Sequence, residues 1–329
     1  MRRNYRLCFP ALAVYGLLAI SCDRSETGES STGRFPVVVS IQPQTYFVNR
    51  IGGEFVDVRA ILSPGQSHGA FDPSPKQMAA LTVAKAYFRI GVAFEQPLLK
   101  KMAEVCPDVV VVDTREGIQL LHLDEHHGHD HAGGDAHDHS DPNHICGENQ
   151  LDPHVWLDPT LVKKQAQLIC DTLAKHDPNH AENYRSNLTA FLAELDVIDR
   201  ELSTLLDPHR GKTILVFHPS FAYFCQRYGL EQLVIETEGK EPGPRKLGEI
   251  IATARQKNVG VVFSQEEYSS AGAQAVAEEI GARVVRVAPQ SADWKDNLLS
   301  MAREMVKSFK GADVAAPSAA QPRRTEPRP

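Results

Sequence analysis

Histidine is the residue type in this chain with the clearest capacity for chemistry. The 329 residues include 14 histidines, and many of them crowd into one segment that also carries Asp and Glu. These are His122, His126, His127, His129, His131, His137, His139 and His144. A neutral imidazole nitrogen is a good ligand for divalent metals, and for zinc in particular. The crowding therefore indicates metal binding before any motif is considered.

Further histidines stand alone beside predicted strands. His68 follows a predicted strand at 56–62 through the turn SPGQS, and His218 comes directly after another at 213–217. Ligands of open α/β sheets bind beyond the carboxyl ends of the strands, so both side chains are expected to face a cleft. Pro219 is expected to start the helix that follows His218.

A third isolated histidine, His154, lies in the motif LDPHVWLDP. Asp158 of this motif is expected to cap a helix at 160–175, with Pro159 in its first turn. A single such histidine is more often a structural residue, but three at corresponding positions favour a zinc site. Three neutral imidazoles leave the full 2+ charge of the metal, so a carboxylate or water should complete the tetrahedron.

The elements that position these residues follow from hydrophobic patterning. At 42% hydrophobic and 23% charged residues, the chain has the length and composition of one large or two medium globular domains. Short β-branched runs predict strands at 37–41, 56–62, 86–91, 109–113, 213–217, 233–235, 259–264 and 283–287, with helices such as 74–82 and 248–257 between them. This alternation, repeated twice, predicts two α/β lobes with parallel sheets.

Between the two predicted lobes, residues 181–206 contain neither Pro nor Gly. Their apolar residues form one stripe with a helical period, at Tyr184, Leu188, Phe191, Leu195, Ile198, Leu202 and Leu205. A helix of this length is about 39 Å long and, with a single apolar face, should lie along both lobes. The predicted boundaries are a first lobe at 35–179, a linking helix at 180–207, a second lobe at 208–310 and a disordered tail at 311–329.

The first residues have the pattern of an export signal, namely a basic start and an apolar stretch that ends at Ser21-Cys22. The segment before Cys22 resembles the lipobox of bacterial lipoproteins, which predicts a signal peptide at 1–21 and a lipid anchor on Cys22. The alternative is ordinary cleavage, which would leave Cys22 incidental. The polar residues at 22–34 suit a flexible tether to a membrane. Disulfide pairing among Cys106, Cys146, Cys170 and Cys225 stays open, and buried free thiols are an equal alternative for Cys170 and Cys225.

Several separated motifs resemble, in order, the zinc- and manganese-binding cluster of ABC-transporter substrate-binding proteins, and most closely its zinc-uptake branch. They are SPGQSHGAFDPSPKQM, YFRIGVAFE, DPHVWLDP, VFHPSFAYFCQRYGL and IETEGKEPGP, and the resemblance covers about residues 36–308. It implies two (β/α)4 lobes joined by one long helix, with the metal between the lobes. It also implies that His68, His154 and His218 are the metal ligands.

The chain departs from the family pattern at the fourth ligand. Manganese- and iron-binding relatives carry Asp where this chain has Ala288, and some zinc-binding relatives carry Glu where it has Ser67. An acidic family position aligns with Gln265. We expect a site completed by water, Glu266 or Glu238, because a six-coordinate manganese site would need more oxygen ligands.

The segment from His122 to His144 resembles the acidic, histidine-rich loop of many zinc-uptake members. The resemblance implies an auxiliary metal-binding loop near the cleft that collects zinc or senses its excess, and we expect it to contribute nothing to the fold. The alternative is a charged low-complexity insertion whose metal binding is incidental.

The expected function is capture of Zn²⁺ outside the cytoplasm, in the periplasm or at the cell surface, and its delivery to an ABC-type membrane permease with an ATPase subunit. We expect a monomer without catalytic activity. Because the chain has no phosphate-binding glycine-rich loop, we expect a partner chain to hydrolyse the ATP. Its net charge of -7 disfavours nucleic acid as a partner. The alternatives are a manganese or iron importer of the same family, an adhesin, and a secreted zinc hydrolase, which would lack an HExxH helix.

Overall fold

We describe the protein from a computed structural model, which covers residues 33–69, 71–123, 151–236 and 242–314. The predicted signal peptide, Cys22 and nearly all of the tether fall outside these residues. So do Glu238, Cys146 and every histidine of the histidine-rich loop except His122. Among the described cysteines, Cys106, Cys170 and Cys225 are buried free thiols. Within the described ranges no helix has the length and apolarity to cross a bilayer.

The folded body, from Arg34 onwards, contains two four-stranded parallel sheets with helices between the strands. The first lobe consists of β1 (Phe35–Val39), α1 (Gln42–Gly52), β2 (Val56–Ala60), α2 (Pro75–Val83), β3 (Ala86–Arg89), α3 (Glu95–Val105), β4 (Val110–Asp113) and α4 (Pro159–His176). After α5 (Ala181–Leu206), the second lobe consists of β5 (Thr213–Val216), α6 (Ala222–Tyr228), β6 (Glu231–Val234), α7 (Pro244–Gln256), β7 (Val261–Gln265), α8 (Ala271–Ile280), β8 (Arg283–Val287) and α9 (Trp294–Val314). The predicted α/β class is therefore confirmed, and each predicted strand overlaps an observed one.

The two sheets have the same strand order, β2-β1-β3-β4 and β6-β5-β7-β8. The strand order reverses between β1 and β3 in the first sheet and between β5 and β7 in the second. Loops that leave the strands at such switch points diverge and open a crevice at the carboxyl edge of the sheet. Both lobes thus present the kind of edge at which α/β proteins bind ligands.

The long helix α5 begins and ends where the sequence predicts. Its buried face ends at Leu206, which is fully buried, rather than at the predicted Leu205. The reason is geometric, since Leu206 lies one helical turn after Leu202 and continues the same face. The helix packs against α1 and α4 of the first lobe and against α6 and α9 of the second.

Two other predicted boundaries are wrong. Pro219 does not start a helix, because the N–H of Ser220 donates to the carbonyl of His218 at 2.8 Å and turns the chain before α6 begins at Ala222. At the C-terminus, α9 continues to Val314, past the predicted boundary at 310. The sequence offers no proline to stop this helix before Pro317.

Two buried tryptophans join the lobes reciprocally. The Trp294 indole N–H donates to the carbonyl of Trp156 at 2.8 Å, and the Trp156 indole N–H donates to the carbonyl of Pro289 at 2.9 Å. The ring of Trp294 also contacts Phe47 on α1, with centroids 5.1 Å apart. These contacts and the rigid α5 favour small relative motion of the lobes.

Candidate metal centre

The three isolated histidines converge between the lobes. His68 lies in the loop from β2 to α2, and His154 directly precedes a short 3-10 turn (Val155–Leu157) that leads into α4. His218 follows β5, after Phe217. As predicted, the Asp158 carboxylate caps α4 by accepting from the N–H of Thr160 at 2.7 Å, which anchors the chain just after His154.

The ring nitrogens of His68, His154 and His218 form the only group of three or more His, Cys, Asp or Glu ligand atoms within 4.8 Å of one another in the described part of the chain. The Nε2 atoms of His68 and His154 are 3.2 Å apart. Two ligands of a tetrahedral zinc at 2.0–2.1 Å would be separated by about 3.3 Å, so this spacing suits zinc. The Nε2 atom of His218 is buried and has no hydrogen-bond partner among the described residues.

Carboxylates determine which nitrogen of two imidazoles carries the proton. Asp152 Oδ1 lies 2.6 Å from Nδ1 of His154, and Glu236 Oε1 lies 2.7 Å from Nδ1 of His218. A carboxylate only accepts hydrogen bonds, so each Nδ1 must carry a proton in these contacts. The lone pair of the neutral ring is therefore on Nε2, where a metal can bind it.

Burial keeps two of the three imidazoles neutral. Desolvation lowers the pKa of His68 well below the usual 6.5, and the neighbouring His154 and His218 lower it further. The pKa of His154 is lowered well below 6.5 by burial first and by His218 second. Neutral imidazole is the form that binds metal, so this part of the site is ready for a cation at neutral pH.

Gln265 positions His218 rather than offering itself to a metal. Its Oε1 accepts from the backbone N–H of His218 at 3.1 Å, and its Nε2 donates to the carbonyl of His218 at 2.7 Å and to Ser220 Oγ at 3.0 Å. The ring of Tyr268 stacks on the His218 imidazole, with centroids 4.6 Å apart. The end of β7 thus holds both the backbone and the ring of this histidine.

The predicted fourth ligands do not join the group. Glu266 is exposed, with its backbone N–H bonded to Val287 at the edge of the sheet, and it lies outside the cluster of three ligand atoms. Glu238 lies outside the described residues, and Ala288 has no ligand atom in its side chain. Of the histidine-rich loop, His122 forms an isolated antiparallel bridge with Leu151, also outside the cluster.

Sequence reasoning missed the two carboxylates behind the histidines. Asp152 had a local signal, because it stands two residues before His154 and also accepts from the His154 backbone N–H at 2.8 Å. Glu236 directly follows the predicted strand at 233–235, at the sheet edge where ligand sites form. Neither signal identifies a histidine partner without the fold.

The chain is similar in sequence and in structure to known zinc-uptake proteins. A family model described as ZnuA, zinc-uptake complex component A periplasmic, matches residues 37–312. The high-affinity zinc uptake system protein ZnuA of Bacillus subtilis is 28% identical over 83% of this chain and 84% of its own length. A crystal structure of ZnuA is 37% identical, with a TM-score of 0.74 over 84% of this chain and 99% of that one. The laminin-binding protein of Streptococcus agalactiae, described as bifunctional with adhesin and metal-transporting activity, is 25% identical, with a TM-score of 0.69 over 84% of this chain and 99% of that one.

Proposed function

Because the chain belongs to the family of periplasmic zinc-uptake component A proteins, we propose that its cleft captures Zn²⁺ outside the cytoplasm for delivery to an ABC-type import permease. It is a binding protein and not an enzyme. The observation that carries the proposal is the convergence of three imidazole ligand atoms within 4.8 Å between the lobes. Zinc is the cargo, so the site must both hold it and release it to the permease.

The ligands we propose are His68, His154 and His218, through Nε2 of at least the last two. Their donor set consists of nitrogen alone, which suits zinc better than manganese or calcium, since those ions prefer carboxylate and carbonyl oxygen. A manganese or iron importer would need additional oxygen ligands. This argument favours zinc over the other metals that the wider cluster of binding proteins carries.

We further propose that the protein is exported and held at a membrane through a lipid on Cys22, with residues 22–34 as the tether. The histidine-rich segment at 122–144 would serve as an auxiliary site that gathers zinc near the cleft. Its described base, the bridge between His122 and Leu151, attaches the segment to the lobe that carries His154. An adhesin role would be additional to zinc capture, and nothing in the described residues specifies a protein partner for it.

Competition between metals tests this function. Metal-free protein and a variant lacking residues 126–144, which keeps the bridge at His122, are titrated with Zn²⁺ and Mn²⁺ against a chelating dye. We expect one tight zinc site in both proteins, not displaced by excess Mn²⁺, with additional weak sites in the full chain alone. Loss of tight binding with the loop would mean that the loop is the metal site. Preference for Mn²⁺ would reject the zinc assignment.

A further inference from the structure

Two buried carboxylates stand directly behind the proposed zinc ligands. Asp152 is fully buried and Glu236 is 4% exposed, and each contacts the ring nitrogen of its histidine that faces away from the cluster. Neither is among the ligand atoms that could touch the metal. They come from different lobes, since Asp152 precedes α4 and Glu236 follows β6.

The charge of a bound zinc ion indicates a role for these two carboxylates beyond orienting the imidazole rings. A zinc ion bound by three neutral imidazoles keeps its charge of 2+, and an uncompensated dication would be costly there because the three proposed ligands are largely buried. Two carboxyl groups, each one imidazole away from the metal position, can supply the opposite charge of 2−.

We propose that Asp152 and Glu236 are the countercharge of the zinc site, so that the metal is held by three neutral imidazoles and a neutral fourth ligand such as water. The inference rests on the proposed function and deepens it. It accounts for a cluster of described ligand atoms that Glu266 does not join, and in which position 288 carries Ala, a residue without a side-chain ligand. It also assigns to this pair a specificity for dications over monocations.

The neighbouring acids do not replace the pair. Glu267 is half-buried beside Tyr268, and burial raises the pKa of its carboxyl to about 7, so it is only partly ionised at neutral pH. Glu266 is exposed, where water screens its charge. Among the described carboxylates, those of Asp152 and Glu236 are the ones bonded to the clustered imidazoles.

The charge of the cation separates this role from simple positioning. Coulomb energy scales with the product of the charges, so a lost carboxylate costs a dication twice the free energy that it costs a monocation. Loss of an outer carboxylate typically weakens metal binding about 10- to 100-fold. For a monocation the free energy lost is half as large, so the fold-loss of affinity is the square root of that for the dication, about 3- to 10-fold.

The variants are Glu236→Gln and Asp152→Asn, which keep a hydrogen-bond acceptor of the same shape and remove the charge. The matched control is Asp177→Asn, because Asp177 bonds Nδ1 of His180 at 2.8 Å at the start of α5, away from the cleft. Affinities for Zn²⁺ and for Ag⁺ are measured by competition in nitrate buffer. Absorption of the Co²⁺ form reports the geometry of the site.

We expect Glu236→Gln and Asp152→Asn each to weaken Zn²⁺ about 10- to 100-fold and Ag⁺ only about 3- to 10-fold. The Co²⁺ bands should stay tetrahedral, and Asp177→Asn should change neither affinity. Equal losses of affinity for Zn²⁺ and Ag⁺ would overturn the countercharge role and mean that the carboxylates only position the imidazoles. Unchanged Zn²⁺ affinity would overturn the role as well. If Asp152→Asn does not fold, Glu236→Gln alone decides. Weak zinc binding by the wild type would instead reject the proposed function.

Discussion

Replacing His218 by Ala should abolish the stabilisation of the protein by zinc, and the chain offers a closely matched control. His218 bonds Glu236 at 2.7 Å and stacks on Tyr268 at 4.6 Å. His180 bonds its own carboxylate at 2.8 Å and stacks on Phe55 at 4.2 Å. The two histidines therefore have similar neighbours, and only His218 belongs to the cluster of metal ligands.

The magnitude follows from binding linkage. Zinc at 100 times its Kd stabilises the folded protein by about 2.7 kcal/mol. At roughly 2–4 °C per kcal/mol for a body of this size, the Tm should rise by about 5–11 °C. If the loss of one of three ligands weakens binding a thousand-fold, the same zinc concentration stabilises His218→Ala by only about 0.1 kcal/mol. Its zinc-dependent shift would then be too small to measure.

The assay is thermal unfolding with and without zinc, in protein lacking residues 126–144 so that the loop histidines do not contribute. Without metal, His218→Ala should already be less stable by about 1–3 kcal/mol, because it leaves the buried Glu236 without its imidazole. His180→Ala should lose less, since His180 is more exposed. The decisive quantity is the rise in Tm on adding zinc, which His180→Ala should keep in full. A full rise in His218→Ala would refute the assignment of the cleft site.

Two other predictions concern the stability of the metal-free protein. Tyr223→Phe removes a hydroxyl that accepts from the backbone N–H of Leu121 at 2.9 Å. The unpaired N–H of Leu121 should lower the free energy of unfolding, measured by urea denaturation, by about 1–3 kcal/mol. No loss would mean that water replaces the hydroxyl. The folded-state pKa values of His68 and His154 lie below 6.5, so the unfolded chain binds more protons than the folded protein below that pH. The free energy of unfolding should therefore fall with acidification from about pH 6.5, by up to about 1.4 kcal/mol per pH unit for each histidine. A flat profile from pH 7 to 5 would contradict these shifts.

Much of the fold was predictable because its determinants are local. The apolar stripe of α5 requires only that residues one turn apart share a face, and both ends of the helix were found from sequence. The β-branched runs identified every strand of the two sheets. The errors fell where a backbone turn replaced an expected helix start, as at Pro219, or where no local stop signal exists, as in α9.

Two of the three clustered histidines, His68 and His218, could be singled out from sequence because the carboxyl end of a parallel strand is itself a local feature that the pattern reveals. The residues that hold His218 in place could not be identified from sequence. Glu236 is 18 residues from His218, and Gln265 is 47 residues away. Pairing of β5 with β6 and β7 brings both to one edge of the sheet. Which acid lies behind an imidazole, and which lies in solvent like Glu266, depends on that pairing.

The sequence by itself therefore determined the order of the elements, the rigid link between the lobes and the three candidate ligands, because helix period, strand period and turn chemistry act over a few residues. Only the tertiary structure decided that the ligand atoms of the histidines lie within 4.8 Å of one another. It also decided that two carboxylates lie behind these histidines and that the exposed Glu266 lies outside the cluster. These are distances and burial, which arise when segments far apart in the chain pack together.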